Sequence, residues 1–118
     1  MNETPTFQPG DALLIVDMQK DFLVIDGALR VKGTEEEINN IGNANILAAH
    51  IRNFIQQSFL DKNRFYFTTE DFHPQNHIEF GIFPSHCVKG SEGAECHDNL
   101  DQIYYKATDN LVKGQDPE

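Results

Sequence analysis

The sequence predicts an α/β protein with a parallel sheet. Ala12-Leu13-Leu14-Ile15-Val16 is a continuous apolar run, the appearance of a central strand buried on both faces, and it stops abruptly at Asp17. From Thr34 the pattern turns helical: Thr34 and Glu37 stand in capping-box spacing, and Ile38, Ile41, Asn45, Ala48, Ala49, Ile51, Phe54 and Ile55 follow at helical intervals to about Gln57. Phe65-Tyr66-Phe67-Thr68-Thr69 is a second apolar strand. Strand, helix, strand in that order makes a right-handed crossover with the two strands parallel.

The remaining elements are shorter. Residues 1–10, with Pro5, Pro9 and Gly10, read as an irregular lead-in, and Met18 to Gly33, interrupted by Gly27, reads as a long loop over the strand ends. Asp61-Lys62-Asn63 is a turn. After a Gly-containing stretch from Gly90 to Asn99, Gln102-Ile103-Tyr104-Tyr105 is expected to form a third strand ending at Lys106. A single parallel sheet then brings Asp17, Asp71 and Lys106 to one edge, beyond the carboxyl ends of the strands, where such sheets bind ligands.

A chain of 118 residues is sized for one domain, and 39% hydrophobic residues with nine phenylalanines mark it as globular. The net charge of -10, with only nine scattered lysines and arginines, argues against nucleic acid and against an anionic membrane surface as partners. Glu35-Glu36-Glu37 and Asp116-Pro117-Glu118 read as solvated acidic faces. No apolar run approaches the roughly 18 residues of a membrane span and no secretory leader is indicated, so a cytoplasmic location is expected. In that reducing setting Cys87 and Cys96 are thiols first, and a disulfide between them is disfavoured.

The chemistry gathers between Asp71 and His86, a stretch holding one carboxylate and three of the five histidines. Asp71, His73 and His86 suit a facial set of three metal ligands that leaves positions open for water or substrate. Pro74 keeps His73 out of helical geometry, so this is a loop site rather than a two-histidine helix. The plainer alternative is a chance cluster of polar loop residues serving as caps. His77 is read as a cap or surface group, because a fourth protein ligand would close the site. His86-Cys87 with Cys96-His97 is a rival zinc set, but it lacks the short Cys-x-x-Cys clamp. Asp17, Gln19 and Asp21 begin like a calcium loop, yet the central Gly and closing Glu are missing. Asp17 is better read as a general base, or as a cap for the following loop. Lys106 taken alone is an ordinary surface lysine.

Three ordered motifs resemble a known family. Ala12 to Phe22, with Asp17-Met18-Gln19-Lys20-Asp21-Phe22, resembles the opening strand and Asp-x-Gln-x-Asp-Phe signature of the isochorismatase-like cysteine hydrolases. Asp71-Phe72-His73-Pro74 with His77-Ile78-Glu79-Phe80, then Phe83 to Gly90, looks like the metal-binding segment of their nicotinamidase branch. Tyr104-Tyr105-Lys106-Ala107 resembles the strand end that carries the family's Lys-Gly, with Ala107 in place of the glycine. The resemblance spans about residues 10 to 110.

What the resemblance implies is specific. Asp17 takes the role of acid/base with Lys106 as its charged partner, and Phe22 lines the substrate pocket. Asp71, His73 and His86 hold a divalent metal, zinc first with iron or manganese as alternatives, to which the pyridine nitrogen of nicotinamide coordinates. The family's nucleophilic cysteine sits on a later strand, so neither Cys87 nor Cys96 matches it, and no nucleophile is expected in this chain. The fold implied is about half of a doubly wound, three-layer α/β/α sheet, a single incomplete domain over 1–118. The expected function is therefore the N-terminal part of an amidase that hydrolyses nicotinamide to nicotinate and ammonia through a cysteine thioester, the chain alone being inactive. The alternatives are a noncatalytic metal-binding or interaction module, with homo-oligomerisation open, and an amidase for another small amide.

Overall fold

The computed structural model describes residues 8, 10–24, 26–31, 44–59 and 64–117. Its elements are strand β1 (Leu13–Val16), the one-turn helix α1 (Lys20–Leu23), helix α2 (Ala44–Ser58), strand β2 (Tyr66–Asp71), three 3-10 turns at Ile78–Gly81, Glu92–Ala94 and Asp98–Leu100, the short helix α3 (Asp101–Tyr105) and strand β3 (Asp109–Lys113). The capping box at Thr34 and Glu37, Ile38, Ile41 and the turn at Asp61-Lys62-Asn63 lie outside the described residues.

The three strands form one sheet in the order β1-β2-β3, and both pairings are parallel. Leu13 faces Tyr66 and Val16 faces Thr69 in the first pair; Phe67 faces Asp109 and Asp71 faces Lys113 in the second. The parallel α/β architecture is thus the one expected, but several elements differ, beginning with the helical turn Lys20–Leu23 inside the stretch expected to be a loop.

Gln102–Tyr105 is helical, not a strand. A four-residue run with three apolar members carries no decisive period, and here Ile103 and Tyr104 are buried as adjacent residues on the inner side of a helical turn. The third strand is Asp109–Lys113, which opens on Asp-Asn, residue types depleted from strands, and all five of its residues are exposed. Such an edge strand leaves no apolar alternation to read.

Nor is β1 central among the described strands: it ends the sheet, with Ile15 buried on one face and Leu14 and Val16 more than half exposed. The core lies on the Ile15 face. Ala48, Ile55 and Phe59 from α2 and its C-terminal end pack there with Met18, Tyr66, Leu100, Ile103 and Tyr104. Two buried tyrosines pin the layers together. The Tyr66 hydroxyl donates to the Ile103 carbonyl at 2.6 Å, and the Tyr104 hydroxyl accepts the Met18 N–H at 3.0 Å. No helix among the described residues is long and apolar enough to cross a membrane.

Candidate metal and acid/base site

The site stands at the carboxyl edge of the sheet, where parallel strands leave their last side chains facing a common crevice. Asp71 ends β2 and Lys113 ends β3, and they are direct partners in register. Asp17 follows β1 in a left-handed backbone conformation with φ 53°, which aspartate tolerates better than most residues. That bend keeps Asp17 at the sheet edge: its N–H donates to the Thr69 carbonyl at 3.1 Å, and the Thr69 hydroxyl donates to Asp17 Oδ1 at 2.6 Å.

Lys113, not Lys106, is the lysine of this edge. Its Nζ lies 2.7 Å from Asp17 Oδ2 and 2.5 Å from Asp71 Oδ1. Lys106 sits at the C-cap of α3, exposed, because the segment taken for a strand is a helix and the chain reaches the edge seven residues later. The available signal was the dipeptide Lys113-Gly114 behind Leu111-Val112, which carries the glycine that Lys106-Ala107 lacks. Burial alone would pull the Lys113 ammonium down, but hydrogen bonds to Asp17 and Asp71 outweigh it and hold its pKa above the ordinary lysine value.

The loop after β2 carries the imidazoles. His73 Nδ1 lies 2.9 Å from the Gly114 carbonyl, and His86 Nδ1 lies 2.7 Å from the Pro84 carbonyl. A carbonyl oxygen only accepts, so each Nδ1 carries a proton, and in the neutral imidazole each Nε2 then presents a bare lone pair. This is the outer hydrogen bonding that orients metal-ligating histidines. His73 Nε2, with His73 almost fully buried, is the one buried side-chain polar atom without a hydrogen-bond partner among the described residues. It lies 3.7 Å from Asp71 Oδ2. One ligand atom each from Asp71, His73 and His86 falls within 4.8 Å of the others. An orphaned lone pair beside a carboxylate and a second bare imidazole nitrogen fits a divalent cation, which satisfies all three at once.

His77 stands apart from that set. Its ring stacks near His73 with centroids 4.3 Å apart, but its Nδ1 accepts the Glu79 N–H at 3.1 Å and so caps the 3-10 turn. The rival zinc set is not assembled as read, since His97 Nε2 bonds to Asn45 Oδ1 at 2.7 Å and its Nδ1 accepts the Asn99 N–H. Phe22 does reach the site, its ring centroid 5.7 Å from that of His86.

Two residues of the first motif act as positioning groups. Gln19 is fully buried; its Oε1 accepts the Asp71 N–H at 2.8 Å while its Nε2 donates to the carbonyls of Asp71 at 2.7 Å and Ala94 at 2.8 Å. Asp21 Oδ2 accepts the Cys87 N–H at 2.7 Å, next to His86, at a residue with φ 48°. Backbone bonds from His73 N to the Cys87 carbonyl and from Lys89 N to the His73 carbonyl strap the two histidine-bearing segments together.

Both cysteines are free. Burial, then the negative charges of Asp21, Asp71 and Asp17, push the Cys87 thiol up to about 12. Burial with Asp101 and Glu70 pushes Cys96 up to about 11. Both shifts favour the protonated thiol.

No family model matches the chain. It is 28% identical to the nicotinamidase of Escherichia coli (strain K12) over an alignment of 128 positions that covers 88% of this chain and 54% of the relative. A crystal structure of the pyrazinamidase of Pyrococcus horikoshii in complex with zinc superposes with a TM-score of 0.65 at 30% identity, covering 93% of this chain and 55% of that one. A structure of PnC1 from L. infantum in complex with nicotinate gives a TM-score of 0.62 at 32% identity, covering 91% and 48%. The chain spans about half the length of the relatives it matches. By motif, by sequence and by parallel α/β fold, the chain is similar to the isochorismatase-like hydrolases, and among them to nicotinamidases.

Proposed function

We propose that this chain is the metal- and ring-binding part of a nicotinamidase-type amidase whose whole form hydrolyses nicotinamide to nicotinate and ammonia. The observation that carries the proposal is the convergence of two bare imidazole nitrogens and the Asp71 carboxylate beside the Asp17–Lys113 ion pair. Asp71, His73 and His86 would hold a divalent metal, zinc by ligand type, with iron or manganese compatible. When bound, the ion supplies a Lewis-acid anchor for the ring nitrogen of a pyridine carboxamide. The zinc complex of the Pyrococcus horikoshii relative and the nicotinate complex of the L. infantum relative support both halves of that reading.

The chain's own residues would then divide the work. Phe22 offers an apolar wall beside His86. The Asp17 carboxylate, oriented by the Thr69 hydroxyl and Lys113 Nζ, would take the proton of an attacking thiol and return it to the departing ammonia. Lys113 would keep Asp17 anionic and temper the negative charge that it and Asp71 concentrate there. A thioester route needs a thiol that neither Cys87 nor Cys96 provides, so the nucleophile is assigned to a segment other than these residues.

Equilibrium dialysis of the chelator-stripped 118-residue chain should give one zinc per chain, and the proton resonances of added nicotinamide should broaden only when metal is loaded. The chain alone should release no ammonia. One-to-one zinc binding that survives His73→Ala and His86→Ala together would overturn the ligand assignment, and ammonia release lost on Asp17→Ala would overturn the assignment of the nucleophile elsewhere. The edge of β1, open among the described residues, and its exposed face favour a second reading, a noncatalytic module that recruits another chain. A stable metal-loaded homodimer in size-exclusion chromatography with metal analysis would support it.

A further inference from the structure

The side chain of Asp21 joins three segments. Its Oδ2 accepts the Cys87 N–H at 2.7 Å and its Oδ1 accepts the Ala28 N–H at 3.1 Å, while its main-chain carbonyl accepts the Leu29 N–H at 3.0 Å. Gly93 closes a further side. A Cβ built there would fall inside the Asp21 carboxylate, so the glycine is what lets the Glu92–Ala94 turn rest its backbone against that group.

Cys87, which donates to this carboxylate, stands at φ 48°, a left-handed conformation unfavourable for a residue with a side chain. Strain of this kind persists only where the surrounding contacts hold it in place. Here both ends of the residue are held: Asp21 takes its N–H, and its carbonyl accepts the His73 N–H at 2.9 Å. A hydrogen bond to a carboxylate is charge-assisted and stronger than one between neutral groups. The Cys87 N–H lies in the planar peptide that starts at His86, so fixing it constrains the direction in which the His86 ring leaves the chain. Phe22 follows Asp21 directly; its carbonyl accepts the Val31 N–H at 3.0 Å, and its ring centroid lies 5.7 Å from that of His86. The Asp21–Cys87 bond, across 66 positions of sequence, therefore links the residue beside Phe22 to the residue beside His86.

We propose that Asp21 is a positioning residue that sets the angle and spacing of the His86 imidazole against the Phe22 ring, with Gly93 as the stop that keeps its carboxylate on the Cys87 N–H. Asp21 thereby shapes the corner that receives a substrate ring without touching the ring. The inference rests on the reading of His86 as a metal ligand and Phe22 as an apolar wall.

The test uses the 118-residue chain, first free of metal and then with zinc. Asp21→Asn keeps the side-chain size but removes the charge and turns one acceptor oxygen into a donor. Gly93→Ala alters no hydrogen-bonding group and pushes the carboxylate from its place. Far-UV circular dichroism checks the fold of both. In the metal-free chain, nuclear Overhauser contacts between the Phe22 and His86 rings should weaken in both variants, while those between the core rings of Phe59 and Tyr66, with centroids 6.1 Å apart, stay as they are. Zinc affinity, read by chelator competition, should fall about 10- to 100-fold in both. Asp26→Asn, the same charge change on an exposed neighbour, should alter neither readout. In the unmodified chain the Cys87 N–H should resonate downfield of the other loop amides and exchange slowly with solvent, which tests the bond even where a variant fails to fold. A Cys87 amide at an ordinary shift with fast exchange would overturn the proposal, as would Phe22–His86 contacts of full strength in Asp21→Asn. Loss of the Phe22–His86 and Phe59–Tyr66 contacts together would also overturn it, since that marks a merely structural role. Zinc binding indifferent to His86→Ala would sink the metal-site reading instead, and the ring contacts of the metal-free chain would still judge Asp21.

Discussion

Asp71 and Lys113 meet because they are register partners at the last rung of β2 and β3, and Lys113 spans from there to Asp17. Its side chain is about half exposed, so screening limits what the two contacts contribute to stability. Lys113→Ala should lower stability by about 1 kcal/mol, less at high salt, by leaving the Asp17 and Asp71 carboxylates without their shared cation. Lys106→Ala should change it by less than about 0.5 kcal/mol. Thermal unfolding of the two variants at low and high salt separates them, and equal effects would refute the assignment of Lys113. Because the native pKa of Lys113 is raised, its contribution is complete below about pH 10.4 and is lost only as pH rises through the native value. Gly114 has a different constraint. Its φ is 73°, and a Cβ there would lie 2.5 Å from His73 Cε1 and 2.7 Å from Nδ1, so Gly114→Ala displaces the ring whose Nδ1–H the Gly114 carbonyl holds. Zinc affinity of that variant should fall by about 10- to 100-fold, measured by chelator competition.

Single side chains that tie one element to another decide whether those elements hold the site. Tyr104, on α3, accepts the buried Met18 N–H and donates to the Thr69 carbonyl at 3.3 Å, so it fixes α3 against the ends of β1 and β2. Tyr104→Phe leaves that N–H unpaired and should cost about 1–3 kcal/mol in denaturant unfolding. His97 ties α2 to the turn that follows Cys96, using both ring nitrogens as a neutral imidazole: Nε2–H to Asn45 Oδ1 and Nδ1 as acceptor of the Asn99 N–H. Burial, against the opposing pull of Asp98, lowers its pKa. Its contribution is therefore present above the unfolded value of about 6.5 and is lost as pH falls through the lowered native value. Melting temperatures of metal-free wild type and His97→Gln should converge as pH drops from 7.5 to 5. A gap that widened on acidification would contradict the neutral clasp. α3 itself was misread because four residues hold too little periodicity, whereas α2 was legible from Asn45 onward because its apolar face repeats over several turns.

At the scale of the whole molecule, the sheet is open at β1 among the described residues. Leu13, Leu14, Ile15 and Val16 line an apolar groove of about 340 Å³ with Met18, His50, Ile51 and Phe54. A parallel strand with one edge unpaired among the described residues, and with Leu14 and Val16 exposed, is a template for further pairing. The isolated chain should self-associate as its concentration rises, and Leu14→Lys, which places a charge on the exposed face without touching Ile15, should suppress this in light scattering. Scattering that matches a monomer at all concentrations for the unmodified chain would contradict the expectation. The same opening agrees with a chain spanning about half the length of its relatives.

The sequence by itself determined the fold class and the identity of the candidate ligands. Long apolar runs and a multi-turn helical face carry their own periods, and Asp71, His73, His86, Asp17 and Phe22 stand in ordered motifs that need no folding to be read. Only the tertiary structure decided which lysine meets Asp17, since that depends on where β3 ends and on a register across two strands. It also decided how the rings of His73 and His86 are oriented, because this rests on the carbonyls of Gly114 and Pro84. Local pattern dictates what each segment is; contacts between residues far apart in the chain dictate what the site is.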